Sequence, residues 1–183
     1  MQKEFQESSD LQKVKGKHSE VYLVEKYAIK VFEDKFVYNF LKEVKFLTLL
    51  QPFKFVPKIY AVDVRNLKIV MQRVEGVTIA EHFDRDVVEQ CLKNCLILDM
   101  LGIEKQEMNH PDKHIITSDR VYFIDFERGR FKDRPSNLTQ FCVYLRRRGI
   151  DVDRELMVEY KKNPNLEVFK KIKSEIVSSF QEE

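Results

Sequence analysis

Two charges stand in otherwise apolar runs, and together they constrain the fold more than any other feature of the chain. Tyr27-Ala28-Ile29-Lys30-Val31-Phe32 is a β-rich run, and Val21 to Val24 is another, separated from it only by Glu25-Lys26. Their closeness predicts a tight hairpin, although Glu-Lys is not a favoured two-residue turn. In a strand, Ala28 and Lys30 point to one face while Ile29 and Val31 point to the other. From Asp34 to Leu50 the pattern turns helical, with Phe36, Phe40, Glu43, Leu47 and Leu50 recurring at steps of four and three along one face. A lysine emerging from an apolar strand is costly unless its ammonium meets an anion, and Glu43 is the single charge in the apolar helix row. Each charge accounts for the other if the helix lays Glu43 against the hairpin. The alternative for Lys30 is snorkelling to solvent from an edge strand.

The rest of the chain divides by period. Lys58 to Val64 and Lys68 to Val74 read as strands with Asn66 near their turn, and Glu75-Gly76 breaks the pattern. A helical stretch follows from about Ile79 to Leu101, then a polar loop from Glu104 to Lys113 containing Pro111. His114 to Thr117 and Val121 to Phe126 suggest another short hairpin. Asn137 to Arg148 and about Arg154 to Phe180 read as helices, the second broken at Asn163-Pro164-Asn165. Strands gathered at the front and helices behind predict an α+β fold, not a doubly wound sheet. At 183 residues the expectation is one domain.

Composition narrows the functional classes. Hydrophobic residues make up 43%, enough to bury a core, which argues against wholesale disorder. A net charge of +2 leaves nucleic-acid contact to local patches rather than to the bulk field. The three cysteines, Cys91, Cys95 and Cys142, are expected as reduced core thiols in a cytoplasmic protein without a disulfide-linked partner. The polar start Met1-Gln2-Lys3-Glu4-Phe5 has no apolar signal region, and no run is long enough for a membrane span.

Four further constellations carry chemistry. Val14-Lys15-Gly16-Lys17-His18-Ser19-Glu20-Val21 reads as a turn with one glycine. Val121-Tyr122-Phe123-Ile124-Asp125-Phe126-Glu127 is a hydrophobic strand ending in an acid, a placement that suits a hard cation. Upstream lies Lys105-Gln106-Glu107-Met108-Asn109-His110-Pro111-Asp112-Lys113-His114-Ile115-Ile116, rich in acids and potential ligands. Arg128, Arg130, Lys132 and Arg134, then Arg146-Arg147-Arg148, form basic clusters interleaved with Phe131 and Tyr144. They fit either a polyanion-binding patch or an ordinary solvated surface.

Taken in order, Gly16, Lys30, Glu43, the Met71-Gln72-Arg73-Val74 strand exit, the Glu107 to His114 loop and Asp125-Phe126-Glu127 resemble the atypical, lipid-kinase-like and RIO/Bud32-like small kinases. The resemblance implies a minimal two-lobed protein-kinase-like fold over residues 1–183, with an N-lobe of about 1–74, a hinge of about 72–76 and a C-lobe of about 77–183. It implies ATP and Mg²⁺ as cofactors. Gly16, Ser19, Ala28, Lys30, Glu43, Met71 and Arg73 would address the nucleotide, with Lys30 on the phosphates and Met71 at the gatekeeper position. Asp125 would hold the metal. Three registers are open for the catalytic loop. One makes Glu107 the base and Asp112 the second metal ligand, a second makes Asp112 the base, and a third sets His114 at the second metal position. Asp112 ranks first and Glu107 second, with Lys113 or His114 stabilising the transferring phosphoryl group. No Ala-Pro-Glu follows Asp125, which sets the chain apart from ordinary peptide kinases.

More narrowly, Pro111-Asp112-Lys113-His114-Ile115-Ile116, Ile124-Asp125-Phe126-Glu127-Arg128 and Asn137-Leu138-Thr139-Gln140 are similar to the small archaeal predicted Ser/Thr kinases, some of which act as an archaeal RNA kinase on a tRNA uridine 2′-hydroxyl. That implies tRNA as substrate, with the basic residues as its contacts. Lys105-Gln106 replaces the usual His-Gly, and Glu127 the usual Gly after Asp-Phe. The alternatives are a Ser/Thr protein kinase or partner-stimulated ATPase, a small-molecule phosphotransferase, and a pseudokinase that binds nucleotide weakly.

Overall fold

A computed structural model describes residues 12–180, so the polar N-terminal start lies outside the described residues. The described residues form two compact units, divided between Glu75 and Gly76.

The first unit is an antiparallel sheet with one long helix. Its strands are β1 (Gln12–Lys15), β2 (Ser19–Val24), β3 (Tyr27–Phe32), β4 (Ile59–Asp63) and β5 (Lys68–Gln72), in the order β1-β2-β3-β5-β4. β2 and β3 pair through the two-residue turn, with Val24 opposite Tyr27. Glu25 supplies the positive φ, 47°, that such a turn requires. The turn carbonyls are engaged from the strand exit: Arg73 donates its amide to Lys26 (2.9 Å) and its guanidinium to Glu25 (3.4 Å). Helix α1 (Val37–Leu50) begins after a 3₁₀ turn at Asp34–Phe36 and buries Phe40, Glu43, Phe46, Leu47 and Leu50. β5 stops at Gln72, two residues before the expected end, where the Arg73 amide leaves the sheet for Lys26.

The second unit is mainly helical: α2 (Arg85–Met100), α3 (Asn137–Arg147), α4 (Arg154–Lys162) and α5 (Leu166–Ser178). Between α2 and α3 run β7 (Ile103–Glu104), β8 (Ile115–Thr117), β9 (Val121–Phe123) and β10 (Arg130–Phe131); β6 (Val77–Thr78) precedes α2. Strands β6, β8 and β9 make one small antiparallel sheet, and β7 with β10 a two-stranded ribbon. Gly76 enters this sheet against the Thr117 carbonyl, which a Cβ would meet at 2.1 Å, so only glycine fits.

α2 starts six residues later than the apolar period suggested. Asp84 caps it by accepting from the Val87 amide (2.8 Å), and Glu81 binds the Thr78 amide and hydroxyl (2.8 Å each), holding the preceding residues in a turn. α5 follows the Asn-Pro-Asn break as expected, with Asn165 capping the Glu167 and Val168 amides. β9 ends at Phe123 instead of Phe126; one further rung, from the Ile124 amide to the His114 carbonyl (2.9 Å), precedes the turn at Asp125, φ 64°.

A buried carboxylate organises this unit. Asp99, 4% exposed near the end of α2, accepts from the Asn137 amide (2.9 Å) and side chain (2.7 Å), the Leu138 amide (3.1 Å) and the Tyr160 hydroxyl (3.1 Å). Burial raises its carboxyl above the usual range while these hydrogen bonds oppose the rise. Asn137 in turn donates to the Ile103 carbonyl (2.7 Å) and accepts from the Lys105 amide (2.9 Å).

Asn137→Ala strands several buried partners at about 1–3 kcal/mol each and is expected to cost on the order of 3 kcal/mol in urea unfolding, whereas Tyr160→Phe is expected to cost about 1 kcal/mol. Equal and small losses in both variants would show that Asp99 does not organise the unit.

Candidate functional site

In the first unit, β3 alternates as expected, burying Ala28, Lys30 and Phe32 on one face. The ammonium of Lys30 lies 3.3 Å from Glu43 Oε1, with both side chains nearly sealed from solvent at 8% and 1% exposure. It also sits 5.1 Å from the Phe32 ring centroid, and Phe32 meets Phe40 edge to face. Two desolvated charges persist in such a core only as a pair, so α1 and β3 are registered by this contact. Met71, beside Ala28 in the sheet, is buried. Gly16 lies in the β1–β2 turn, donating its amide to the Ser19 carbonyl (2.9 Å), where an added Cβ would meet that oxygen at 3.1 Å. The tightness of this turn explains the one glycine in the loop. Arg73, expected at the nucleotide, is engaged with the β2–β3 turn and lies 3.7 Å from Glu75.

In the second unit, the hydrogen bond from Ile124 to the His114 carbonyl extends the β8–β9 hairpin and brings His114 beside Asp125. His114 Nδ1 is 3.8 Å from Asp125 Oδ2, and its Nε2 is 3.3 Å from Glu107 Oε2. Glu107 Oε1 is also in close contact with the Arg128 guanidinium. Three residues of this cluster adopt left-handed backbone without being glycine: Gln106 (φ 69°), Glu107 (φ 60°) and Asp125 (φ 64°). Lys105 joins the two turned segments. It is 2% exposed, its amide is held by Asn137, and its ammonium donates to the Asp125 carbonyl (3.1 Å) over the Phe126 ring (5.1 Å). The sequence marked Lys105 only as a departure from His-Gly; its position just before a polar turn gave no sign of burial.

Asp112 and Lys113 lie in a 3₁₀ turn, Pro111–Lys113. The Asp112 carboxylate accepts from the Tyr144 hydroxyl (3.2 Å) and is 3.9 Å from Arg148, so its contacts run to α3 and not to His114 or Asp125. Burial and the Asp112 charge push the Tyr144 hydroxyl up to about 12, keeping it a donor at neutral pH. Lys113 is exposed. The structure brings Glu107, His114 and Asp125 together, while the Asp112 carboxylate is engaged from α3. Among the described residues no three His, Cys, Asp or Glu side chains converge as an all-protein metal cage.

The basic residues are largely neutralised within the chain. Glu104, 2% exposed, accepts from Arg130 (2.5 Å), Lys132 (2.5 Å) and Ser136 (3.1 Å). Burial would raise its carboxyl, but the hydrogen bonds from Lys132, Arg130 and Ser136 together hold it below the usual range. Arg128 meets Glu107, and Arg146 lies 3.5 Å from Asp151. Arg147 donates to the Asn109 carbonyl (3.0 Å) against the His110 ring, and Arg148 stacks on Phe83 and Tyr144. Arg134 is exposed. A single continuous patch of uncompensated cations is not what these positions form. Pairings over such sequence distances leave no local pattern to read.

No protein-family profile matches the chain. Over 59 residues it is 42% identical to an uncharacterized protein of Methanocaldococcus jannaschii, a match covering 32% of this chain and 51% of that protein. Its structure is similar to WbdD with a kinase inhibitor bound (TM-score 0.60, 17% identity, 94% of this chain and 45% of that one). It is also similar to the Rio2 kinase of Chaetomium thermophilum (TM-score 0.58, 14% identity, 90% and 62%). The Legionella pneumophila kinase Lpg2603 is a third (TM-score 0.56, 16% identity, 86% and 68%). The chain therefore has a protein-kinase-like fold, α+β with an antiparallel sheet in its first unit. It spans about half the length of the WbdD chain and of the archaeal protein. Among the described residues no helix is long and apolar enough to cross a membrane.

Glu104→Gln is expected to lower the melting temperature by ~3–8 °C at pH 7, since charge-assisted hydrogen bonds are lost. Because the folded carboxyl titrates below its unfolded value of 4.5, the wild-type advantage is present above that value and lost as pH falls through the folded one. Melting curves of both proteins across that range should therefore converge in acid; a gap independent of pH would contradict the assignment.

Proposed function

We propose that the chain is an ATP-dependent phosphotransferase whose preferred acceptor is the 2′-hydroxyl of a tRNA uridine. The observation that carries the phosphotransferase reading is the gathering of Glu107, His114 and Asp125 by Lys105, in a kinase-like fold that also holds a buried Lys30–Glu43 pair. The RNA acceptor rests on the resemblance of the Pro111–Ile116 and Ile124–Arg128 segments to the archaeal RNA kinases.

Each residue then has a physical task. Lys30, kept extended by Glu43, presents its ammonium to the nucleotide phosphates. Asp125, its backbone clamped through its carbonyl, offers a carboxylate to Mg²⁺. When bound, Mg²⁺ neutralises charge on the phosphate oxygens and on the transferring phosphoryl group. Glu107 is favoured over Asp112 as the group that orients the acceptor hydroxyl and takes its proton, because it lies with Asp125 while Asp112 is engaged by Tyr144 and Arg148. Its oxygens each carry two lone pairs, so the Arg128 and His114 contacts leave room for a hydroxyl. Exposed Lys113 supplies positive charge near the acceptor.

One observation favours a second reading, a protein acceptor of the RIO/Bud32-like type. Arg128, Arg130, Lys132, Arg146 and Arg148 already face carboxylates of this chain, which leaves less charge for an RNA backbone.

Asp125→Asn retains the left-handed backbone preference and is expected to keep the fold while reducing phosphotransfer by at least about 10³-fold. Lys30→Met is expected to lose activity and also about 3–5 kcal/mol of stability, because it leaves Glu43 buried without its counter-charge; Lys30→Met with Glu43→Leu should recover the stability but not the activity. Near-normal turnover in these variants would sink the assignment. The acceptor is read by incubating the protein with γ-labelled ATP, Mg²⁺ and either deproteinised tRNA or a protein extract. Label in nuclease-sensitive material is expected, and label confined to protein would move the reading to the second acceptor class.

A further inference from the structure

Alternation along β3 sends Tyr27, Ile29 and Val31 to the face of the first sheet opposite Lys30. The register extends that face across the neighbouring strands. Val24 and Tyr22 of β2 stand opposite Tyr27 and Ile29, and Val70 of β5 stands opposite Ile29. On β4 a bulge between Ile59 and Ala61 places Tyr60 there too, edge to face with Tyr27 at 5.4 Å between ring centroids. Helix α1 packs on the other side, where Phe40 meets Phe32 and Glu43 meets Lys30, so the long helix of this unit leaves the Tyr27 face uncovered. The open face of an antiparallel sheet is ordinarily polar. Here its middle is apolar and aromatic, with half-buried side chains and Tyr60 46% exposed, which marks an interaction surface.

Each tyrosine of this face carries a lysine at its ring: Lys13 at Tyr22 (5.4 Å), Lys26 at Tyr27 (5.5 Å) and Lys58 at Tyr60 (5.5 Å). Lys13 is paired with Glu20 (2.9 Å). Among the described residues, Lys26, Lys58 and Lys68 have no carboxylate at ion-pair distance. Lys68 stands opposite Val31 and Asp63, but the Asp63 carboxylate is turned to the amides of Arg65 and Asn66 and to the Asn66 side chain. These cations differ in this respect from the mostly compensated ones of the second unit. A peptide finds little here, because it docks on a sheet edge or in a groove, and the main chain of the inner strands is already spent in the ladder. Flat rings flanked by uncompensated ammonium groups match unstacked bases linked by phosphates. We propose that this face of the first sheet is a single-stranded RNA platform, with bases on Tyr22, Tyr27 and Tyr60 and phosphates on Lys26, Lys58 and Lys68. The inference rests on the RNA-acceptor reading and deepens it by naming the surface that holds the RNA.

The test is photo-crosslinking of the full chain to a 4-thiouridine-substituted oligouridylate of about twelve nucleotides, with the crosslinked residues mapped by mass spectrometry, alongside anisotropy titrations of the same RNA. Crosslinks are expected at Tyr27 or Tyr60, with the single strand bound at least about tenfold more tightly than a duplex of equal length, whose bases cannot reach the rings. Tyr60→Leu is expected to weaken binding by about 5- to 150-fold, the loss of one stacked base. Lys26→Gln and Lys58→Gln should each reduce the slope of log affinity against log salt by about 0.7, a readout that a merely structural role would not move. Crosslinks confined to the second unit, with tRNA still labelled from ATP, would overturn the inference and leave the RNA-acceptor reading standing. Displacement of the RNA by an oligoglutamate peptide at lower concentration would overturn it in favour of an acidic protein partner. No binding of the oligouridylate or of tRNA would overturn both the inference and the RNA acceptor. The wild-type crosslink map decides the matter even if a variant fails to fold.

Discussion

Burying a carboxylate in a helical core demands donors, and in the second unit Asp99 obtains four hydrogen bonds from residues distant in sequence. Two come from the amides that open α3, where the helix leaves N–H groups without intrahelical partners. One comes from the Asn137 side chain and one from Tyr160 on α4. A single charge on α2 thus ties three helices together. Asn137 carries the constraint onward to Ile103 and Lys105, and Lys105 carries it to Asp125. The candidate site sits at the end of this chain of contacts, so its geometry is inherited from the helical core rather than built by its own loops.

That inheritance matters because the site's backbone is costly. Gln106, Glu107 and Asp125 occupy left-handed conformations that penalise residues with a Cβ, by about 1–2 kcal/mol each. They persist only where surrounding contacts over-determine them. Here the Asn137 bond to the Lys105 amide precedes the first turned segment, and the Lys105 ammonium holds the second. The outcome is a pair of acids on rigid turns with an imidazole between them.

Charge is handled in the same economical way outside the site. Arg130 and Lys132 converge on buried Glu104 and pin the β7–β10 ribbon just beyond Asp125, while Arg147 and Arg148 hold the Asn109–Asp112 loop against α3. Residues that look like a polyanion-binding cluster in one dimension are, in three, the braces of the loops around the candidate site.

Local pattern was sufficient wherever neighbours in sequence are neighbours in space. The β2–β3 hairpin, the α1 face and the break between α4 and α5 follow from period and punctuation, and the Lys30–Glu43 pair follows because a buried charge requires a partner and only one stood in the adjoining apolar row. The late start of α2 was missed because apolar residues continue through Ile79 and Phe83 while the cap at Asp84 sets the boundary. Asp112 ranks above Glu107 in the polar loop because it holds a role in two registers; its contacts come from α3, more than thirty residues away, and no spacing in the loop announces them. Glu104 and Lys105 read as ordinary charges in a loop, yet they are 2% exposed, because their partners arrive from β10 and α3. Spacing along a chain encodes which side of a helix or strand a residue faces, but the partner of a buried charge is chosen by packing across the fold, which leaves no periodic trace in the sequence.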